Sequence, residues 1–335
     1  MDKYGFREFL IKQKVPEEQM DDAIALVERF EAFLKDQDSE STLDSATSED
    51  AIKFTKVMMN ENLNTYRNFV TLLRFGYFIG NNDLYISFLE PIDGSEVLEV
   101  LHKKLGEEAG EELRDEVFKG IDLPPLGTPP SAKPKITQAV MKRMEAMVDP
   151  RICEKALVEV AHGLPKEHYN SGQKEKYLAA KNIDEFLEQK RDAFVNQLEK
   201  HRDEGTPFFN QEIDDGVVQW IKDNPGTGSA KRVGDALVHT KIPFLTKEYL
   251  AEKDERMKRY YACHCGWARE AIKTGEHEVS PTFCYCSGGF TVKPWEIAFD
   301  QPLEVEMLES ALQGDMKCTF RIPLPKEVLE KIGTS

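Results

Sequence analysis

The stretch LEVEMLESALQGDMKCTFRIPL, residues 303–324, decides the fold of the C-terminal part of this chain. Leu303, Val305 and Met307 alternate with Glu304 and Glu306. Gly314 and Asp315 make a turn, and then Met316, Cys318, Phe320 and Ile322 alternate with Lys317, Thr319 and Arg321. Successive side chains of a strand point to opposite faces. A period of two therefore predicts two strands, each with one face inward, paired as an antiparallel hairpin. Upstream, DALVHTKIPF (235–244) sets Leu237 and His239 against Val238 and Thr240, which predicts a further strand.

Between these strands lie CHCGWAREAIKTG (263–275) and PTFCYCSGGF (281–290). Five of the six cysteines fall between Cys263 and Cys318, and Cys153 stands alone. Two Cys-x-Cys pairs, Cys263/Cys265 and Cys284/Cys286, supply four thiolates of the kind that hold zinc, or iron, with Cys318 and His264 as substitutes or additions. The spacing is tighter than the Cys-x-x-Cys of zinc ribbons, and reduced cysteines packed as small apolar residues are the competing reading. Gly266–Thr274 reads as a helix closed by Gly275, which would put Cys263 and Cys265 at a helix N-terminus, where amides and dipole favour thiolate. Arg269 would add to that, or face solvent beside Glu270 or Glu276. Gly288 and Gly289 permit close approach of backbone to a ligand or a neighbouring element, or turn the chain into a helix around Pro294–Phe299. His239 is a pocket or core residue, whereas His162 and His168 read as surface or capping histidines.

The first ninety residues read as helices. Met20, Ala23, Ile24, Val27, Phe30 and Leu34 recur at helical spacing after Pro16. Thr47 or Ser48 is placed to cap the next helix, with Asp50 in its first turn, and Asn64–Phe78 carries Phe69, Leu72, Leu73 and Tyr77. Charged helices follow over 95–120, and IDLPPLGTPPSAKPK (121–135) has five prolines in fifteen residues, a stiff linker or crossing strap. Helices resume over 136–162 and again from Ile183 to Leu198. The fold expected is a mainly α N-terminal helical bundle over 1–120, a linker over 121–135, and an α+β domain with an antiparallel sheet over 136–335.

The 335 residues are 40% apolar and 31% charged, an ordinary globular balance, with a net charge of −16. That charge argues against nucleic acid or an anionic membrane as partner. The N-terminus has no secretory pattern and no run suits a membrane span, so a cytoplasmic location with reduced thiols is expected.

Two resemblances add to this. The helix order of Asp22–Asn82, nearest in NTYRNFVTLLRFGYFI (64–79), resembles the core-binding domain of tyrosine recombinases. No histidine is followed three residues later by arginine, as the catalytic signature of those enzymes requires, and residues 1–90 carry 10 basic against 17 acidic groups. A bundle for packing or for a protein partner is the expectation there. The run GGFTVKPWEIAFDQPLEVEMLESALQGDMKCTFRIPL (288–324) resembles vinyl-4-reductase-type, or hydrocarbon-binding, domains, and its ending is similar to that of aminothiazoline-carboxylate hydrolase-like proteins. The resemblance covers about 235–325. It implies an antiparallel sheet with helices on one face, a pocket for a small ligand, and convergence of Cys284, Cys286 and Cys318 near it. Cys263 and Cys265 depart from the common pattern of that family.

Three readings stay open. In the first, Cys263, Cys265, Cys284 and Cys286 hold zinc or iron, and a small organic ligand binds beside Cys318, His264, His239, Arg269, Phe290 and Trp295. In the second the protein is an enzyme, a hydrolase of a small heterocyclic acid or a thiol-dependent catalyst. There Cys265 or Cys284 is nucleophile or ligand, His239 or His264 the base, and Arg269 the carboxylate anchor. In the third it is a helical interaction protein with structural cysteines.

Overall fold

The computed structural model describes residues 1–169 and 172–330. They form two compact units. The first comprises 1–93, 124–129 and 205–211; the second comprises 94–123, 130–169, 172–204 and 212–330.

The first unit is helical: α1 (Lys3–Lys12), α2 (Met20–Gln37), α3 (Ser48–Asn60), α4 (Tyr66–Phe78) and α5 (Asn82–Leu89). The periodicity read over Met20–Leu34 becomes α2, which buries Met20, Ala23, Leu26, Val27, Phe30 and Leu34. Thr47 is the cap of α3: its hydroxyl accepts from the Asp50 N–H, and the Asp50 carboxylate accepts in return from the Thr47 N–H. Phe30 packs against Phe54 at 4.9 Å and Phe88 at 5.6 Å between ring centres.

The second unit begins with α6 (Val97–Ala109) and α7 (Glu111–Phe118). The sequence places both in the N-terminal bundle; the structure does not. They lie here because α6 turns Val97, Leu98, Leu101 and Leu105 into the same core as Cys153, Ala156, Leu157 and Val160 of α9. The proline-rich segment is divided too: 124–129 returns to the first unit, where Leu126 packs on the core, and Lys133 and Pro134 open α8 (Lys133–Met147). Helices α9 (Pro150–Val160), α10 (Gln173–Ala179), α11 (Ile183–Glu204) and α12 (Asp215–Asp223) follow.

A four-stranded antiparallel sheet, in the order β1-β2-β4-β3, is built from β1 (Lys231–Val233), β2 (Ala236–Thr240), β3 (Glu306–Glu309) and β4 (Thr319–Pro323). β3 and β4 are the hairpin read from period two, with a bulge between Met307 and Glu309. β2 pairs with β4 so that His239 lies opposite Phe320. Between β2 and β3 come α13 (Thr246–Ala251), α14 (Glu255–Ala262), α15 (Arg269–Thr274) and α16 (Tyr285–Phe299); α17 (Lys326–Glu330) follows β4. Helix-rich first unit and α+β second unit with an antiparallel sheet are the architecture the sequence predicts. Among the described residues no helix is long and apolar enough to cross a membrane.

Candidate functional site

The site is assembled where α16 crosses the sheet, and the two adjacent glycines decide that crossing. Both lie inside α16, which begins at Tyr285 rather than near Pro294. A Cβ on Gly288 would stand 3.3 Å from the Phe320 ring on β4, and one on Gly289 would collide with the carbonyl oxygen of Val158 on α9. Glycine is a poor helix former, but here it lets one helix lie against the sheet on one side and against a helix backbone on the other. Of the readings given to these residues, close approach to a neighbouring element is the one that holds.

The Val158 contact fixes the end of α9. There the chain turns through three left-handed residues, Ala161 (φ 43°), His162 (φ 61°) and Gly163 (φ 76°). Such backbone is costly for residues other than glycine and persists only where its surroundings hold it. The Tyr169 hydroxyl donates to the Ala161 carbonyl at 2.6 Å, and the His162 N–H faces the Cys286 sulfur. The turn carries His162 Nε2 to 3.4 Å from Ser287 Oγ, with its ring 4.8 Å from that of Phe290.

Lys241 reaches the same hydroxyl from the sheet. Its N–H donates to the Cys318 carbonyl, continuing the β2–β4 ladder by one residue and placing its side chain on the face of His239 and Phe320. Lys241 is buried; its Nζ donates to Ser287 Oγ at 2.7 Å and lies 5.1 Å from the centre of the Phe290 ring. Burial, and then the Lys241 charge, hold three imidazoles uncharged: His162 far below its ordinary range, and His239 and His264 down to about 3. For His239 the charge of Lys190 also acts, ahead of that of Lys241. His264 donates from Nε2 to the Ile242 carbonyl at 2.5 Å, whereas His239 Nδ1 has no hydrogen-bond partner among the described residues. His162, His264, Cys265, Ser287 and Phe290 are half-buried, each keeping part of its surface open.

The five clustered cysteines do converge. Beyond burial, Cys265 and Cys318 raise the pKa of Cys263, Cys318, Cys263 and Cys265 that of Cys284, and Cys286 that of Cys265. All six thiols of the chain are free. Burial is the main cause of every shift, lifting Cys265 to about 12 and Cys286 to about 11, with Cys263, Cys284 and Cys318 also raised. This corrects the thiolate expected at a helix N-terminus. The helix α15 starts at Arg269, not Gly266, and Cys263 ends α14; the backbone N–H of Cys265 still meets the Cys263 sulfur and that of Trp267 the Cys265 sulfur, but burial outweighs both. Cys284 is paired with the Ser310 hydroxyl at 3.0 Å. Among the described residues no group of three or more His, Cys, Asp or Glu is arranged to hold a metal ion.

The remaining candidates part company. Arg269 is buried, not solvent-facing, with its guanidinium 4.1 Å from the centre of the Phe244 ring and 5.6 Å from that of Tyr260. Trp295 is core, packed on Phe186 and Phe299, with Lys190 Nζ 5.1 Å from its ring. Sequence reading missed Lys241 and Ser287 and set His162 on the surface. The signal for Lys241 was present: it continues the Leu237, His239 alternation by one more step. Comparison of the chain with family models, with curated proteins and with solved structures found no match to any of them.

Proposed function

We propose that the second unit is a small-ligand-binding module whose pocket takes an organic carboxylate, held by Lys241 and Ser287 with its apolar body against Phe290. The observation that carries this reading is the buried Lys241 ammonium, aimed at a hydroxyl and surrounded by imidazoles and thiols that burial keeps uncharged. A carboxylate entering there gains a charge-assisted hydrogen bond in a poorly hydrated site. The resemblance to vinyl-4-reductase-type domains implies a pocket in the same place, between sheet and helices. Six free thiols suit a reducing compartment, and we place the protein in the cytoplasm.

The test is thermal and calorimetric titration with benzoate and with benzamide, its uncharged counterpart. Benzoate is expected to bind and raise Tm, benzamide to do neither, and Lys241→Met to abolish the benzoate effect, a loss of about 1.5–3 kcal/mol for a hydrogen bond to a charged group. Equal responses to acid and amide, or benzoate binding that survives Lys241→Met, would overturn the reading.

A further inference from the structure

Ser287 is placed as more than a contact for a ligand. One hydroxyl has one proton to give and two lone pairs. Lys241 Nζ donates to Ser287 Oγ at 2.7 Å, and His162 Nε2, 3.4 Å away, is placed to accept the Ser287 proton in the tautomer that carries the imidazole proton on Nδ1. The two partners come from different parts of the fold, one from the end of β2 and one from a strained left-handed turn. Gly289, two residues after Ser287, lies against the backbone of Val158, four residues before His162. Strain, a side chain-free helix crossing and a buried cation therefore converge on a single oxygen atom, an arrangement that packing alone does not require.

We propose that Ser287 is a nucleophile, with His162 as its general base and Lys241 as the stabiliser of developing negative charge, and that the pocket hydrolyses esters or thioesters of small carboxylic acids. His162 Nε2 takes the Ser287 proton as Oγ bonds to the acyl carbon, and the carbonyl electrons move onto oxygen beside the Lys241 ammonium. Collapse of this adduct breaks the bond to the alcohol or thiol, which leaves with the proton from His162. Water then attacks the acyl-serine, giving its proton to His162. Ser287 recovers that proton as the acid departs, so ester plus water yields acid plus alcohol. Apo separations between nucleophile and base are often longer than those in the reacting complex, so 3.4 Å fits the role. The product is a carboxylate left beside Lys241, and to that extent the inference rests on the pocket proposed above.

The test uses the full chain with two probes, p-nitrophenyl acetate and a fluorophosphonate, read by intact mass and peptide mapping. One adduct per chain on Ser287 is expected with each probe, absent in Ser287→Ala and restored with p-nitrophenyl acetate in Ser287→Cys. Acylation should slow by about 10²–10⁴-fold in His162→Gln, the range for loss of a general base. Adducts confined to a cysteine or lysine, or no adduct from either probe on the wild-type chain, would overturn the proposal. Benzoate separates the two readings. Binding of benzoate without any Ser287 adduct leaves the pocket and removes the nucleophile. A Ser287 adduct whose formation benzoate does not slow supports the nucleophile and removes the carboxylate pocket.

Discussion

The cores of the two units differ in kind. The first is filled by rings and aliphatic side chains, with Phe6, Phe30, Phe54, Phe69, Phe75 and Phe88 all fully buried. Its buried polar groups are uncharged: Thr55, Thr71, Asn210 and Gln211. The second unit contains every buried charged side chain among the described residues, Lys133, Lys241 and Arg269, together with all six cysteines. Burying charge costs free energy that an apolar core avoids. One core is thus shaped by packing alone, whereas the other carries groups whose retention calls for a chemical reason.

The largest effect that would sharpen this contrast is expected in the first unit. Phe30→Ala removes a fully buried ring flanked by Phe54 and Phe88. It should cost about 3–5 kcal/mol, read as a fall in the urea midpoint. Next is Gly289→Ala in the second unit. One added methyl meets the Val158 carbonyl, and about 1–3 kcal/mol of overpacking is expected, with loss of benzoate binding because α16 must shift. Retained stability and binding would mean that the glycine does not set the helix crossing. Thr47→Ala removes a capping box far from any chemistry and should lower stability by about 1 kcal/mol while leaving the pocket unchanged.

The smallest effect at neutral pH is expected from the thiols. Native Cys265 and Cys286 hold their protons more tightly than the unfolded chain does, to about 12 and about 11 against an ordinary value of 9.0. Below about pH 9 both states are protonated and nothing is lost. As pH rises further the unfolded chain ionises first, so stability should fall progressively toward pH 12. Iodoacetamide should leave the native thiols nearly untouched at pH 7. Rapid alkylation of Cys265 at that pH would break the picture of an uncharged cluster.

The parts of the fold that were legible in the sequence are those in which neighbours along the chain are neighbours in space. Period two over 303–322 and period 3.6 over 20–34 required no knowledge of the rest of the molecule. The convergence of the five cysteines was legible as density alone. The start of α16 was not, because Gly288 and Gly289 oppose helix formation locally and are repaid only by contacts with Phe320 and Val158. Nor was the meeting of His162, Lys241 and Ser287, which depends on strand register and on a left-handed turn. The uncharged state of the thiols escaped for a related reason: a dipole argument rests on the position of a helix end, and that end lay three residues further on.

The interleaving of the chain between the units has a consequence for its synthesis. The first unit is finished only by 124–129 and 205–211: the Asn64 side chain donates to the Leu126 carbonyl and that of Asn82 to Gly205. A nascent chain must therefore extend beyond residue 211 before its earliest helices have all their partners. By then α6 to α11 have been synthesised, while the sheet that leads into Lys241 has not. Folding on the ribosome cannot proceed as one domain followed by another, and a fragment cut at the proline-rich segment would lack pieces of both.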